Sequence, residues 1–195
     1  AAHGVEPRGA QGQEVSRESA ARRELVGSLI VDVPDFPKPG VVFKDITPLL
    51  ASPRGFQAAI TELVTTAPER IDVVVGMEAR GFIFAAPVAL ALGAGFVPVR
   101  KPGKLPGETI SHSFELEYGN ETLTMHRDAI RPGARVLVVD DVLATGGTVG
   151  ATAELLRQMG AELVHVSVVM ELGFLGGRGR LAELGIDNCS ALVTV

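Results

Sequence analysis

Apolar runs alternate along the chain with segments of helical periodicity. The runs are rich in valine and leucine and show no regular alternation with polar residues. Strands that are buried on both faces have this pattern, which is typical of a parallel sheet flanked by helices. Strands are predicted in this way at 71–77, 95–100, 135–140 and 163–170. Intervening helices are predicted at about 53–67, 84–93 and 148–159. The alternation predicts an α/β fold with a central, mostly parallel sheet.

The segment 108–130 follows a two-residue period instead. In SFELEYGNETLTMH, apolar and polar residues alternate on both sides of Gly119-Asn120, which has the composition of a hairpin turn. An antiparallel ribbon is therefore predicted as an insertion in the core, with Glu115 and Glu117 on the face opposite the aromatic residues. The preceding RKPGKLPGE is basic and rich in proline and glycine, which indicates a mobile flap. Flap and hairpin together span about 101–127.

The N-terminal residues differ from the rest in composition. Residues 1–18 are rich in glycine, alanine and charged residues, so they are predicted to form a disordered tail. A short helix should follow, with Leu25 and Leu29 at helical spacing, and the proline-rich VPDFPKPG should end it as an irregular loop. One domain is expected over 19–195.

Charge and cysteine content narrow the class of protein. The 195 residues are 46% hydrophobic and carry a net charge of −5, which supports a packed core and argues against a general binder of nucleic acid or anionic membranes. The single cysteine, Cys189, excludes an internal disulfide and a metal–thiolate cluster. No apolar run approaches the roughly 20 residues of a membrane span, and the first residues lack the apolar core of a signal peptide. We expect a soluble cytoplasmic protein.

The stretch VLVVDDVLATGGT, residues 136–148, carries the clearest candidate chemistry. It joins an apolar strand, the acid pair Asp140-Asp141, a glycine-containing loop and the start of a helix. The free N–H groups and positive dipole of a helix N-terminus favour a phosphate, whereas two carboxylates suit hydroxyls, a metal ion or developing positive charge. A sugar phosphate satisfies both parts, although an ordinary turn with a helix cap is the alternative. A P-loop is excluded because no GxxxxGK[ST] occurs.

This stretch resembles the PRPP-binding signature of the type I phosphoribosyltransferases, where PRPP is 5-phosphoribosyl-1-diphosphate. The segments FPKPGVVFKDITPLL, GMEARGFIFAAPVALALG, VPVRKPGKLPGETI and ELEYG occur in the order seen in the bacterial adenine-specific branch of that family. The similarity covers the chain from about residue 25 to its last residue. It implies the type I fold, Mg²⁺ as cofactor, a homodimer, and transfer of phosphoribosyl from PRPP to adenine with formation of AMP and diphosphate, a reaction of purine salvage.

The resemblance also implies roles for single residues. Asp140 and Asp141 would face the ribose hydroxyls, and Glu117 would act on a proton of the purine ring. Glu115, predicted on the same face, is the glutamate that could be mistaken for it. The 5-phosphate would be bound by Ala144, Thr145, Gly146, Gly147 and Thr148. The diphosphate would be bound by Glu78, Ala79, Arg80, Arg100, Lys101 and Lys104. Adenine would be bound by Val42, Phe43, Lys44 and Leu172. Mg²⁺ would be held mainly through PRPP rather than by protein side chains.

Simpler roles exist for several of these residues. Arg80 suits a surface salt bridge, Lys101 a solvated face, Phe43 core packing and Glu117 a solvated ribbon side chain. Departures from relatives in ELGFLGG, residues 171–177, put the fine base selectivity in doubt.

Two other functions compete with adenine transfer. The first keeps the chemistry but uses hypoxanthine, guanine or xanthine. The second is a PRPP-sensing regulator that binds nucleic acid, which the acidic chain and the lack of an added DNA-binding domain disfavour.

Overall fold

The computed structural model describes residues 8–116 and 119–195, which separate into two compact units, residues up to Glu62 and residues from Leu63 onward. The single domain expected over 19–195 stays a prediction. No helix within the described ranges combines the length and apolar character that crossing a membrane requires.

The N-terminal unit consists of helices and one small ribbon. Helix α1 spans Arg8–Ser28, strands β1 and β2 span Val31–Pro34 and Val42–Asp45, helix α2 spans Thr47–Ala51, and helix α3 spans Pro53–Thr65. The two strands pair antiparallel. The proline-rich loop contains a cis peptide bond between Phe36 and Pro37.

Helix α1 begins ten or so residues before the predicted start, so that residues 8–18, predicted as disordered, are helical. Its side chains hold a fully buried carboxylate, Glu62, which accepts hydrogen bonds from Ser19, Arg22 and Arg23 at 2.7–3.1 Å. Burial raises the pKa of Glu62, but these bonds outweigh burial and leave the pKa below its usual value. Composition alone could not indicate these hydrogen bonds between α1 and Glu62, because the partners lie about 40 residues apart in the sequence.

The C-terminal unit is built on one parallel sheet. Its elements are β3 (Val73–Met77), α4 (Arg80–Leu92), β4 (Gly95–Val99), β5 (Thr109–Glu115), β6 (Asn120–His126), β7 (Arg135–Leu143), α5 (Gly147–Gln158), β8 (Glu162–Glu171), α6 (Gly177–Glu183) and β9 (Cys189–Thr194). The strand order is β4-β3-β7-β8-β9, and every neighbouring pair is parallel. Valines on the central strands, among them Val75, Val138 and Val168, are fully buried. The predicted type I fold, with a central parallel sheet flanked by helices, is confirmed.

The inserted ribbon is also present, as the antiparallel pair β5–β6. Its turn differs from the predicted one, because Glu115 pairs with Asn120 and Asn120 already belongs to β6. Gly119, directly before β6, has a positive φ of 95°. The sequence pattern identified the ribbon, but Asn120 belongs to its second strand rather than to the turn.

Candidate functional site

The site lies at the carboxyl ends of β3 and β7, the edge where parallel sheets bind ligands. The two strands are neighbours, and Gly76 is paired with Val139. The turn at 78–80 therefore runs beside the acid pair at 140–141. Residues 78–80, 140–146 and 148–149 line a cavity of about 200 Å³. The fold thus brings together the predicted ribose, phosphate and diphosphate residues of this unit, apart from those in the basic segment.

The loop 144–148 presents bare backbone to this cavity. Helix α5 begins at Gly147, and no side chain caps its N-terminus. Gly146 has a φ of +83°, and a Cβ there would lie 3.0 Å from the carbonyl oxygen of Gly177. A Cβ on Gly147 would lie 3.1 Å from the ring of Phe114 on the ribbon. Close packing behind the loop therefore requires glycine at both positions. The uncapped N–H groups at the start of α5 suit an anion.

The acid pair is almost completely enclosed. Asp140 and Asp141 are 9% and 4% exposed, and the Asp141 N–H donates to Asp140 Oδ1 at 2.9 Å. They lie within β7, which continues to Leu143 rather than ending at 140 as predicted. Burial raises the pKa of Asp140 well above its usual range, and the neighbouring Asp141 charge raises it further. Two adjacent buried carboxylates favour any ligand that offers hydroxyl donors or positive charge.

Arg80 opens α4 and reaches the acid pair. Its Nε lies 2.8 Å from Asp141 Oδ2, and its side chain is 42% exposed. The two side chains form an ion pair. The cation predicted for diphosphate and the carboxylate predicted for ribose therefore occupy one site.

Glu78 has a role that the sequence did not indicate. Its side chain accepts a hydrogen bond from Arg100 Nε at 2.8 Å and one from the Lys101 backbone N–H at 3.1 Å. Burial raises the pKa of Glu78, but these bonds outweigh it and leave the pKa below its usual value. The carboxylate thus anchors the start of the basic segment beside the Glu78–Ala79 peptide, which is cis. Glu78 and Arg100 are separated by 22 positions in the sequence, so no local pattern indicates this hydrogen bond.

The two lysines of the basic segment face outward in different ways. Lys101 Nζ forms an ion pair with Glu121 of β6 at 2.9 Å. The Lys104 carbonyl accepts a long hydrogen bond from Arg100 Nη1 at 3.5 Å, and residue 104 is exposed. Their predicted diphosphate contacts stay predictions.

The residues predicted for the base lie in three places. Val42, Phe43 and Lys44 belong to β2 of the N-terminal unit, where Lys44 Nζ lies 2.6 Å from Asp32 Oδ1 and Phe43 packs edge-on against Phe36. Leu172 follows β8, and its N–H donates to the Leu143 carbonyl at 2.9 Å, so it lies at the same sheet edge as the acid pair. Glu117 lies outside the described residues. These base contacts stay predictions.

Comparison with known proteins agrees with this geometry. A model of the phosphoribosyl transferase domain matches residues 44–182. The chain is 67% identical to the adenine phosphoribosyltransferase of Cutibacterium acnes over 174 residues, 89% of this chain and 98% of the relative. It is 56% identical to that of Thermobifida fusca, with 88% and 96% covered.

Solved structures give the same result. The adenine phosphoribosyltransferase of Thermoanaerobacter pseudethanolicus superposes with a TM-score of 0.84 at 46% identity, over 89% of this chain and 99% of that one. The Saccharomyces cerevisiae enzyme, complexed with D-2,5-dideoxy-2,5-imino-altritol 1,6-bisphosphate and adenine, superposes with a TM-score of 0.82 at 41% identity, over 89% and 99%. On the matched domain, the identity to these relatives and the shared fold, the chain belongs to the phosphoribosyl transferase family.

Proposed function

We propose that the chain transfers the phosphoribosyl group of PRPP to adenine, forming AMP and diphosphate in purine salvage. One observation carries this proposal: the uncapped loop at 144–148, the acid pair and Arg80 meet at one sheet edge, with Arg80 Nε 2.8 Å from Asp141. A phosphate, a ribose diol and a diphosphate require these three kinds of group side by side. The choice of adenine as the base is supported by the relatives, because the chain is 53–67% identical to adenine phosphoribosyltransferases.

The chemistry follows from where charge develops. The bond from C1′ of the ribose to the diphosphate breaks as the purine nitrogen approaches, and positive charge builds on the ribose ring. Asp140 and Asp141, which would accept hydrogen bonds from the ribose hydroxyls, stabilise that charge in a water-poor cavity. The guanidinium of Arg80 suits the departing diphosphate, which would replace Asp141 as its partner.

Five residues are proposed to contact adenine or its proton. Backbone groups of Val42 and Lys44 would pair with the adenine edge, Phe43 would stack on the ring, and Leu172 would form the other wall. Lys44 already has Asp32 as a partner, which fits recognition by backbone rather than by side chain. Glu117 would take the proton that the purine nitrogen loses.

The family resemblance implies Mg²⁺ as a cofactor that enters the site with PRPP. Within the described part of the chain, no group of three or more His, Cys, Asp or Glu side chains could hold a metal. The buried Asp141 Oδ2 already has the Arg80 guanidinium 2.8 Å away. The ion would thus be held mainly through PRPP oxygens and would neutralise diphosphate charge.

The proposal extends to assembly and location. Part of the basic segment 100–104 would reach the site of a neighbouring subunit, which makes the working unit a homodimer. The protein would act in the cytoplasm, where purine salvage takes place.

A base panel tests the function. Purified protein with Mg²⁺ and PRPP should consume adenine and leave hypoxanthine, guanine and xanthine unused. Asp141→Ala should reduce turnover by about 10²–10³-fold while still folding. The matched control is Asp128→Asn, an exposed aspartate outside the site, which should behave as wild type. Comparable rates on adenine and hypoxanthine would establish a different base, and no turnover on any purine would favour a PRPP-sensing regulator.

A further inference from the structure

Arg178, near the start of α6, holds two strands of the sheet with one guanidinium. Its Nε lies 3.1 Å from Glu171 Oε1, and its Nη2 lies 2.6 Å from Glu171 Oε2. Its third nitrogen, Nη1, donates to the carbonyl of Cys189 on β9. Glu171 is only 7% exposed. Bidentate, charge-assisted pairs of this kind are among the stronger polar contacts in proteins and fix geometry as well as distance.

The ion pair between Glu171 and Arg178 joins the two ends of the segment 172–177, which contains Leu172. Glu171 is the last residue of β8 and is paired with Leu143 at the end of β7. Leu172 follows directly, and its N–H donates to the Leu143 carbonyl. The position of Leu172, one of the residues predicted to contact the base, therefore depends on how the β8 end is held.

The other end of the same segment supports the phosphate loop. Gly177, directly before Arg178, packs so closely on the loop that a Cβ there would collide with the Ala144 carbonyl. A Cβ on Gly146 would in turn lie 3.0 Å from the Gly177 carbonyl oxygen. The backbone of Gly177 thus forms the floor beneath the loop that is proposed to bind the 5-phosphate.

We propose that Arg178 is a positioning residue for phosphoribosyl transfer, which holds Leu172 and the phosphate loop in register by closing the 172–177 segment onto Glu171. This inference rests on the proposed function of the site. Arg178 touches neither substrate; it acts through the segment it closes.

Loss of the arginine should loosen the segment without removing a catalytic group. Gly173, Gly176 and Gly177 lie within six residues, and Gly176 has a φ of +68°, so the released backbone gains much conformational freedom. Substrates must then order the segment when they bind, and the ordering free energy appears as weaker binding. Once both substrates are bound the site is reassembled, so turnover at saturation changes little.

The test compares Arg178→Ala and Arg178→Lys with Arg180→Ala. Arg180 lies on the same helix, is exposed and forms no ion pair with a described residue, so Arg180→Ala should keep wild-type parameters. Arg178→Ala should raise the PRPP Kd in calorimetry, and KM for both substrates, by about tenfold, with kcat within about threefold. Arg178→Lys, which keeps the charge but not the bidentate geometry, should fall between.

A double variant separates positioning from stability. Arg178→Ala leaves the Glu171 carboxylate buried without its partner, which lowers Tm. Glu171→Gln in the same chain removes that charge and should recover most of the Tm, yet the PRPP Kd should stay raised, since the segment is still open. A Kd that returns to the wild-type value together with Tm, or an Arg178→Ala variant with lower Tm and unchanged Kd, would overturn the inference.

The two proposals fail in different ways. A wild-type protein that binds PRPP but does not use adenine would refute the base assignment, and the PRPP Kd of Arg178→Ala would still decide the positioning role. A wild-type protein that does not bind PRPP would overturn both. If Arg178→Ala does not fold, Arg178→Lys against Arg180→Ala gives the same comparison.

Discussion

The acid pair is the most costly feature of the chain at the scale of single residues. Asp140 and Asp141 are adjacent, buried and of like charge, and burial raises the pKa of Asp140, so the ionised form of Asp140 is disfavoured. Arg80 compensates part of this cost, because its charge lowers the pKa of Asp140, although less than burial and the Asp141 charge raise it. In the proposed reaction, the pair would stabilise the positive charge that the ribosyl group gains in the transition state, so the arrangement would exchange stability for catalysis.

Replacing Asp140 by asparagine should therefore stabilise the fold at neutral and higher pH. Because the folded protein holds the Asp140 proton more tightly than the unfolded chain does, the free energy of unfolding falls as the pH rises from the ordinary aspartate pKa, about 3.9, through the raised pKa. Asparagine does not titrate, and its Oδ1 can still accept the Asp141 N–H. Turnover should fall by about 10²-fold.

Thermal melting of wild type and Asp140→Asn at about pH 5 and about pH 8 measures this effect. The variant's gain in Tm should be larger at the higher pH. Asp128→Asn, on the surface, should show no such difference. An equal gain at both pH values would show that Asp140 does not titrate between them.

The two ribbon glutamates offer a second comparison of single residues. Glu117→Gln should lower kcat far more than Glu115→Gln, because only the first is expected to meet the purine proton. Glu115 is exposed and pairs across the ribbon with Asn120, and it is a control of the same residue type two positions earlier in the chain. Steady-state rates at saturating adenine and PRPP decide the matter, and equal effects would remove the proton role from Glu117.

Among the elements, the phosphate loop depends on the shape of its glycines. Gly146→Ala would force a side chain into the left-handed region, at about 1–2 kcal/mol, and against the Gly177 carbonyl. PRPP binding should be lost or weakened more than tenfold while the sheet stays folded. Gly179→Ala, in α6 with no atom within 4 Å of the added Cβ, should be stabilising by about 0.5–1 kcal/mol and fully active. Calorimetric titration with PRPP and melting curves test both variants; normal PRPP binding by Gly146→Ala would show that the loop tolerates a side chain.

Elements with strong local patterns were predictable from the sequence. Unbroken apolar runs predicted the strands observed at 73–77 and 135–143, and helical spacing predicted α5. The edge strand β9 and the short helix α6 were not predicted, since CSALVT mixes small and apolar residues and α6 spans only seven residues. Their place is set by pairing with β8 and by packing rather than by local pattern.

The site was predictable where its chemistry is contiguous in the chain. Residues 140–148 combine acid pair, glycines and helix start in one stretch, so their proximity needed no fold. The side-chain hydrogen bonds and ion pairs around the site, in contrast, join residues that are not adjacent in the sequence. Glu78 meets Arg100, and Arg178 meets Glu171 across a turn of glycines. Any surface salt bridge would look the same in the sequence, and only the fold shows that the carboxylates of these two pairs are largely buried.

For the whole molecule, the basic segment raises the question of which subunit it serves. Arg100 is fixed within its own chain by Glu78, and backbone hydrogen bonds join residue 100 to Thr124 of β6. Lys101 is exposed, but its Nζ lies 2.9 Å from Glu121 of its own chain, whereas Lys104 is exposed farther along the segment. In the proposed homodimer, Arg100 would therefore serve its own site, and Lys104, more than Lys101, would be the residue able to serve the site of a neighbouring subunit.

Hybrid dimers distinguish service in the same subunit from service in the partner. Two differently tagged chains, one with Asp141→Ala and one with Lys101→Ala or Lys104→Ala, are coexpressed and the hybrid is isolated through both tags. If the lysine acts in the partner's site, one site of the hybrid carries both lesions and the other carries neither. The hybrid should then show about half the wild-type turnover, although each parent dimer is impaired. If the lysine acts in its own subunit, every site carries one lesion and turnover stays at or below half that of the lysine variant. Arg100→Ala in place of the lysine variant is the matched control, and it should give no recovery because Glu78 holds Arg100 in its own chain.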